Sequence, residues 1–186
     1  MSRLFLGTVL SAALLVGFAN AADTATVGLK SGDPIGAFYV TKVAGAEEDG
    51  VKTGQELCYR CKYGQRPMVM VFTRKGGEKV NQLVKELDSC VAANSEAQLR
   101  GFVTVMGEDQ AEVKNSAKAI IEKSGAKMIP VAISDSPNGP ANYRLDPEAD
   151  VTIIVANESQ VVASHSFAAD KVDVAAVIKE VTKTIN

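Results

Sequence analysis

Residues 58–77 read Cys58-Tyr59-Arg60-Cys61-Lys62-Tyr63-Gly64-Gln65-Arg66-Pro67-Met68-Val69-Met70-Val71-Phe72-Thr73-Arg74-Lys75-Gly76-Gly77. From Pro67 to Thr73 the run is apolar without interruption and closes on Lys75-Gly76-Gly77, the pattern of a strand covered on both faces. From Glu78 the period changes: Val80, Leu83, Val84, Leu87 and Val91 recur at helical spacing. A buried strand feeding an amphipathic helix begins an α/β sheet, and the alternation continues downstream. Phe102–Met106 predicts a second strand, and a helix carrying Val113, Ala117, Ile120 and Ile121 closes on Gly125 as a left-handed cap. Met128–Ile133 predicts a third strand and Ser134–Pro140 a loop. Val151–Ala156 and Val161–Phe167 form a hairpin around Asn157-Glu158-Ser159-Gln160. Asp170 then caps a last helix whose face is Val174, Ile178, Val181 and Ile185. Upstream, Ala37–Val43 predicts a short strand, and Ala44–Gly54, with Glu47, Glu48 and Asp49, a solvated acidic loop. The fold class is α/β: a three-layer sandwich with a central mixed sheet flanked by helices.

The ends of the chain read differently. Met1-Ser2-Arg3, an apolar run from Leu4 to Phe18 and the small-residue end Ala19-Asn20-Ala21 have the form of a secretory signal peptide, 1–21. The run is shorter than the ~20 apolar residues a membrane helix needs, and no later segment is a candidate span. Residues 22–32 are small and polar and predict a flexible mature N-terminus, with one domain over 33–186. An apolar content of 46% and a charged content of 23% mark a folded chain, not a disordered one. A formal net charge of −2 leaves no electrostatic footprint for nucleic acid. Three cysteines are too few for a disulfide scaffold, and an exported chain has room for one bridge with one thiol over. Cys90 shares the apolar face of its helix and reads as a buried small hydrophobe.

The succession of strands, helices and closing hairpin resembles the thioredoxin-like fold in its redoxin and peroxiredoxin-like version. Gly32-Asp33-Pro34-Ile35-Gly36-Ala37-Phe38-Tyr39-Val40 is similar to the family's opening Gly-Asp-x-x-Pro-x-Phe-x-Leu, with Gly36 in place of proline. Asp150-Val151-Thr152-Ile153-Ile154-Val155-Ala156-Asn157-Glu158-Ser159-Gln160-Val161-Val162 is similar to its closing hairpin. The resemblance spans roughly residues 30–186 and implies thiol–disulfide chemistry with protein thiols or disulfides as partners and no cofactor. Three departures stand against it. The family sets Cys-x-x-Cys after the first core strand, where this chain has Thr73-Arg74-Lys75-Gly76-Gly77; a peroxiredoxin Thr-x-x-Cys is missing there too. The family's cis-proline falls on Asp150. Cys58 and Cys61 precede the strand, and a strand of about seven residues is roughly 20 Å long. The pair is therefore expected near the end of the sheet opposite the usual ligand-binding side.

Three readings of the pair follow. As a redox couple, Cys58 and Cys61 are the catalytic residues: Arg60, Lys62 and Arg66 favour a thiolate, Tyr59 and Tyr63 form a contact surface, and exchange runs through a mixed disulfide. As a structural bridge, the pair closes a very small loop with modest entropic gain. As metal ligands, two cysteines are half a zinc set, and the single histidine, His165, stands in the last strand on the face of Val161 and Ala163. Haem attachment fails because Lys62 occupies the histidine position of Cys-x-x-Cys-His. No Gly-x-Ser-x-Gly, phosphate loop or second histidine offers other chemistry. The chain therefore reads as an exported thioredoxin-like protein, periplasmic or extracellular, exchanging disulfides through Cys58–Cys61. The alternative is a non-catalytic binding or scaffold module in which that disulfide is structural.

Overall fold

A computed structural model describes residues 27–185. The leader expected over 1–21 and residues 22–26 of the expected tail lie outside them. Seven strands, β1 Val40–Ala44, β2 Glu56–Leu57, β3 Met68–Thr73, β4 Arg100–Val105, β5 Val131–Ile133, β6 Val151–Asn157 and β7 Gln160–Phe167, form one mixed sheet in the order β2-β1-β5-β4-β3-β6-β7. β3, β4 and β5 are parallel to one another; β6 pairs antiparallel with β3, β7 with β6, and β1 with β5 and β2. The helices are α1 Tyr59–Tyr63, α2 Glu78–Ala93, α3 Gln110–Ser124 and α4 Val174–Ile185, with a 3-10 turn at Ala141–Tyr143.

β3 is an interior strand between β4 and β6, every residue buried, as its unbroken apolar run requires. Odd-numbered Val69 and Val71 face a core built with α2, α3 and α4. Even-numbered Met68, Met70 and Phe72 face a second core containing Phe38, Tyr59, Tyr63, Phe102 and Tyr143. The two right-handed crossovers β3-α2-β4 and β4-α3-β5 step in the same direction, so both helices fall on one face. The other layer is made of short pieces: α1, the 3-10 turn and the segment around Leu29–Phe38. Asp88 on α2 ties the helical layer to the start of β5, its Oδ1 accepting the N–H groups of Lys127, Met128 and Ile129 at 2.9, 2.5 and 3.1 Å.

The structure corrects several local expectations. Residues 27–32 are not loose: Leu29 is buried, and Gly28 and Gly32 donate N–H groups to the carbonyls of Arg144 and Val161. Asp173, not Asp170, caps α4, its carboxylate accepting the Ala176 N–H. The hairpin turn is two residues, Glu158 and Ser159, both at positive φ (50° and 67°). That is the handedness two-residue hairpin turns need to match strand twist. The register of β6 and β7 then slips, from Ala156–Val161 to Val155–Ala163, so Val162 is an extra residue. This bulge flips the alternation. Val161 packs in the second core, whereas Ala163 and Phe167 pack with the first, so Val161 and Ala163 do not share a face.

Candidate functional site

Cys58 and Cys61 are joined as a disulfide, with an S–S distance of 2.03 Å. Cys58 is the N-cap of α1 in extended conformation, and its Sγ accepts the Cys61 N–H at 3.0 Å. Their exposures differ: Cys58 is buried at 7% of its surface, whereas Cys61 is exposed.

The pair does not project beyond the amino ends of the strands as expected. β2, two residues long and invisible in the sequence, pairs antiparallel with β1 and turns the chain round before Cys58. α1 then lies over the face of the sheet. Tyr59 stacks on Phe102 with centroids 5.4 Å apart, and Tyr63 meets the same ring edge-on at 6.0 Å. These two tyrosines are buried, so they anchor the site from beneath and form no contact surface. The exposed tyrosine is Tyr39, one residue outside the Val40–Leu57 pair and hence across from Cys58 in register. Sequence reading missed it because it sat inside the expected strand.

The cations around the pair are also placed differently. Arg60 donates its Nε–H to the Ile35 carbonyl at 3.1 Å. Arg66 reaches the carbonyls of Lys62 and Tyr63 at the end of α1 and the Gln98 amide oxygen. Both guanidinium groups help to hold α1 in place, and exposed Lys62 is the cation that follows Cys61 in sequence.

Beneath α1 lies a polar network the sequence did not announce. Lys42 on β1 is 2% exposed and donates to the carbonyls of Ala46 and Val51 and to Asp49 Oδ1, at 2.8, 2.9 and 2.8 Å. Asp49 Oδ1 also accepts the Val51 N–H, and Oδ2 accepts the Tyr59 hydroxyl at 2.9 Å. All three ammonium protons are thus used. Burial, then the hydrogen bond to Asp49, pushes the Tyr59 phenol far above its usual range; burial does the same for Tyr63. Asp49 is therefore no part of a solvated loop, although Glu47 and Glu48 are exposed. The available signal was a lysine at an apolar strand position, seven residues before an aspartate.

At the carboxyl end of β3, where the resemblance would put cysteines, a different set of contacts stands. Gly77 opens α2 without a side-chain cap. Lys75 pairs with Asp150 at 2.8 Å, Asp150 Oδ2 accepts the Ala169 N–H, and the Arg74 N–H donates to the Asp150 carbonyl. The Lys75 hydrogen bond, then that of Ala169, holds the Asp150 carboxyl below its ordinary range. No peptide bond among the described residues is cis.

Cys90 lies in the core on the opposite face of the sheet from α1, and burial pushes its thiol up against the hydrogen bonds of Thr182 and Asn94. His165 pairs with Ile153 and stacks on Phe167, at the β7 edge of the sheet. Neither is brought to the disulfide. Among the described residues no three His, Cys, Asp or Glu side chains converge, and no helix is long and apolar enough to cross a membrane.

No known family profile and no curated protein matches the sequence. Solved structures do match. The thioredoxin domain of a thiol-disulfide oxidoreductase from Bacteroides vulgatus is 13% identical with a TM-score of 0.60, over 85% of this chain and 99% of that one. A secreted Mycobacterium tuberculosis disulfide oxidoreductase, homologous to E. coli DsbE, is 12% identical with a TM-score of 0.57, over 78% and 95%. Mycobacterium tuberculosis AhpC is 12% identical with a TM-score of 0.62, over 85% and 99%. The chain has the thioredoxin-like fold, in agreement with the resemblance read from its sequence.

Proposed function

We propose that this chain is an exported thiol–disulfide exchange protein acting through Cys58 and Cys61, with protein thiols or disulfides as substrates. The observation that carries the reading is a disulfide with one exposed cysteine on a helix that other contacts also hold in place. Tyr59 and Tyr63 fix α1 on Phe102, and Arg60 and Arg66 bind its surroundings, so oxidised and reduced forms can share one fold. The secretory form of residues 1–21 and the secreted relative in fold support export.

A second reading has its own support. The family's place for cysteines holds Gly77 and the Lys75–Asp150 pair. A module without exchange activity, pinned by a structural bridge, would also have this arrangement. Catalysed reduction of insulin by dithiothreitol separates the two. The exchange reading expects the purified mature chain to shorten the lag before precipitation, and Cys58→Ala/Cys61→Ala to abolish the effect. An unchanged lag with the wild-type chain would reject it in favour of the module.

A further inference from the structure

Resting on that exchange reading, we propose that Cys61 is the sulfur that exchanges with the substrate and Cys58 the one that departs and resolves. Displacement at a disulfide is in line: the incoming thiolate approaches one sulfur from the side opposite the other. Attack on Cys58 has to come through its own side of the bridge, where it is buried next to Tyr59 and half-buried Leu57. Attack on Cys61 comes from the exposed side, beside exposed Lys62. Access to the sulfur governs the rate of exchange, and so does the stability of the leaving thiolate. Cys58 Sγ already accepts the Cys61 N–H at 3.0 Å. When the S–S bond breaks toward Cys58, that contact becomes a hydrogen bond to an anion, about twice as strong as a neutral one.

The first thiolate bonds to Cys61 Sγ while the Cys58–Cys61 bond breaks, and the electron pair departs on Cys58. A second substrate thiolate attacks the substrate sulfur of the mixed disulfide and releases Cys61 as a thiolate. Two substrate thiols are oxidised to one disulfide, the bridge is reduced to two thiols, and their protons pass to the protein. In reverse, Cys61 attacks a substrate disulfide and Cys58 resolves the mixed species. The order along the chain is the opposite of the family's habit, in which the first cysteine attacks.

Glutathione is the probe. The oxidised full chain is mixed with reduced glutathione, quenched in acid at early times, and the adduct is located by peptide mass mapping, which also separates Cys90. The expected result is an adduct on Cys61 at least tenfold over Cys58. As a second measurement, reduced Cys58→Ser and Cys61→Ser chains are reacted with glutathione disulfide; the Cys61 thiol is expected to react at least tenfold faster than the Cys58 thiol. An adduct on Cys58, or an even split, overturns this assignment and leaves exchange standing. No adduct on either, under conditions that reduce free cystine, overturns both.

Discussion

Asp49 carries more than any other residue in the loop before the disulfide. It neutralises Lys42, a cation with 2% of its surface exposed, and it accepts the hydroxyl of Tyr59, the residue that follows Cys58 and opens α1. Removing one partner of a buried, hydrogen-bonded pair strands the other charge, a loss of several kcal/mol. Asp49→Ala should therefore destabilise the fold by about 3 kcal/mol in urea unfolding, the lower end because Lys42 keeps two carbonyl partners. The double change Lys42→Met/Asp49→Leu removes both charges and should cost less than the single one. A single variant within about 0.5 kcal/mol of wild type, the range of ordinary surface substitutions, would mean the network is not what holds the loop. At this scale the sequence hid more than it displayed. Charge and spacing make Glu47, Glu48 and Asp49 equivalent, and only the path of the loop turns the third inward. Cys90, by contrast, was legible from its place on the apolar face of α2.

Among the elements, the junction of β3 and β6 holds the place the family uses for chemistry. Here Arg74, Lys75, Asp150 and Ala169 tie the ends of two neighbouring strands and the approach to α4. The pH dependence follows from the direction of the Asp150 shift. Its carboxyl is held below its ordinary value in the folded chain, so its contribution is fully present above the unfolded value of about 3.9 and is lost as pH falls through the folded one. Comparing wild type with Asp150→Asn by thermal unfolding from pH 3 to pH 7 should show a gap that is constant above about pH 5 and closes toward pH 3. A gap of the same size at pH 3 would show that the carboxylate charge plays no part. The strands and long helices were readable because β3 through α3 follow hydrophobic periodicity closely. The short elements were not: β2 has two residues, α1 has five, and the bulge at Val162 is a register event with no mark in composition. The first two decide where the cysteines sit.

For the whole molecule, the fold and the position of the cysteines have come apart. The sheet order, the layers and the likeness to thioredoxin-like structures agree with the pattern read from the sequence, while the cysteines sit on α1, over the face of the sheet, and not at the start of α2. A bridge between residues three apart in sequence restrains the unfolded chain only weakly, by about 2 kcal/mol in the loop-entropy account. The fold's stability rests mainly on its two cores, and the exchange reading requires that the bridge can open without loss of the fold.

The reduction potential of the Cys58–Cys61 couple tests this most directly, with the mature chain equilibrated in dithiothreitol or glutathione buffers and its thiols trapped by a mass-tagged alkylator. The account predicts a value in the oxidoreductase range, about −120 to −270 mV. A value below about −300 mV, where structural disulfides of secreted proteins lie, would contradict it and leave a binding module with a fixed bridge.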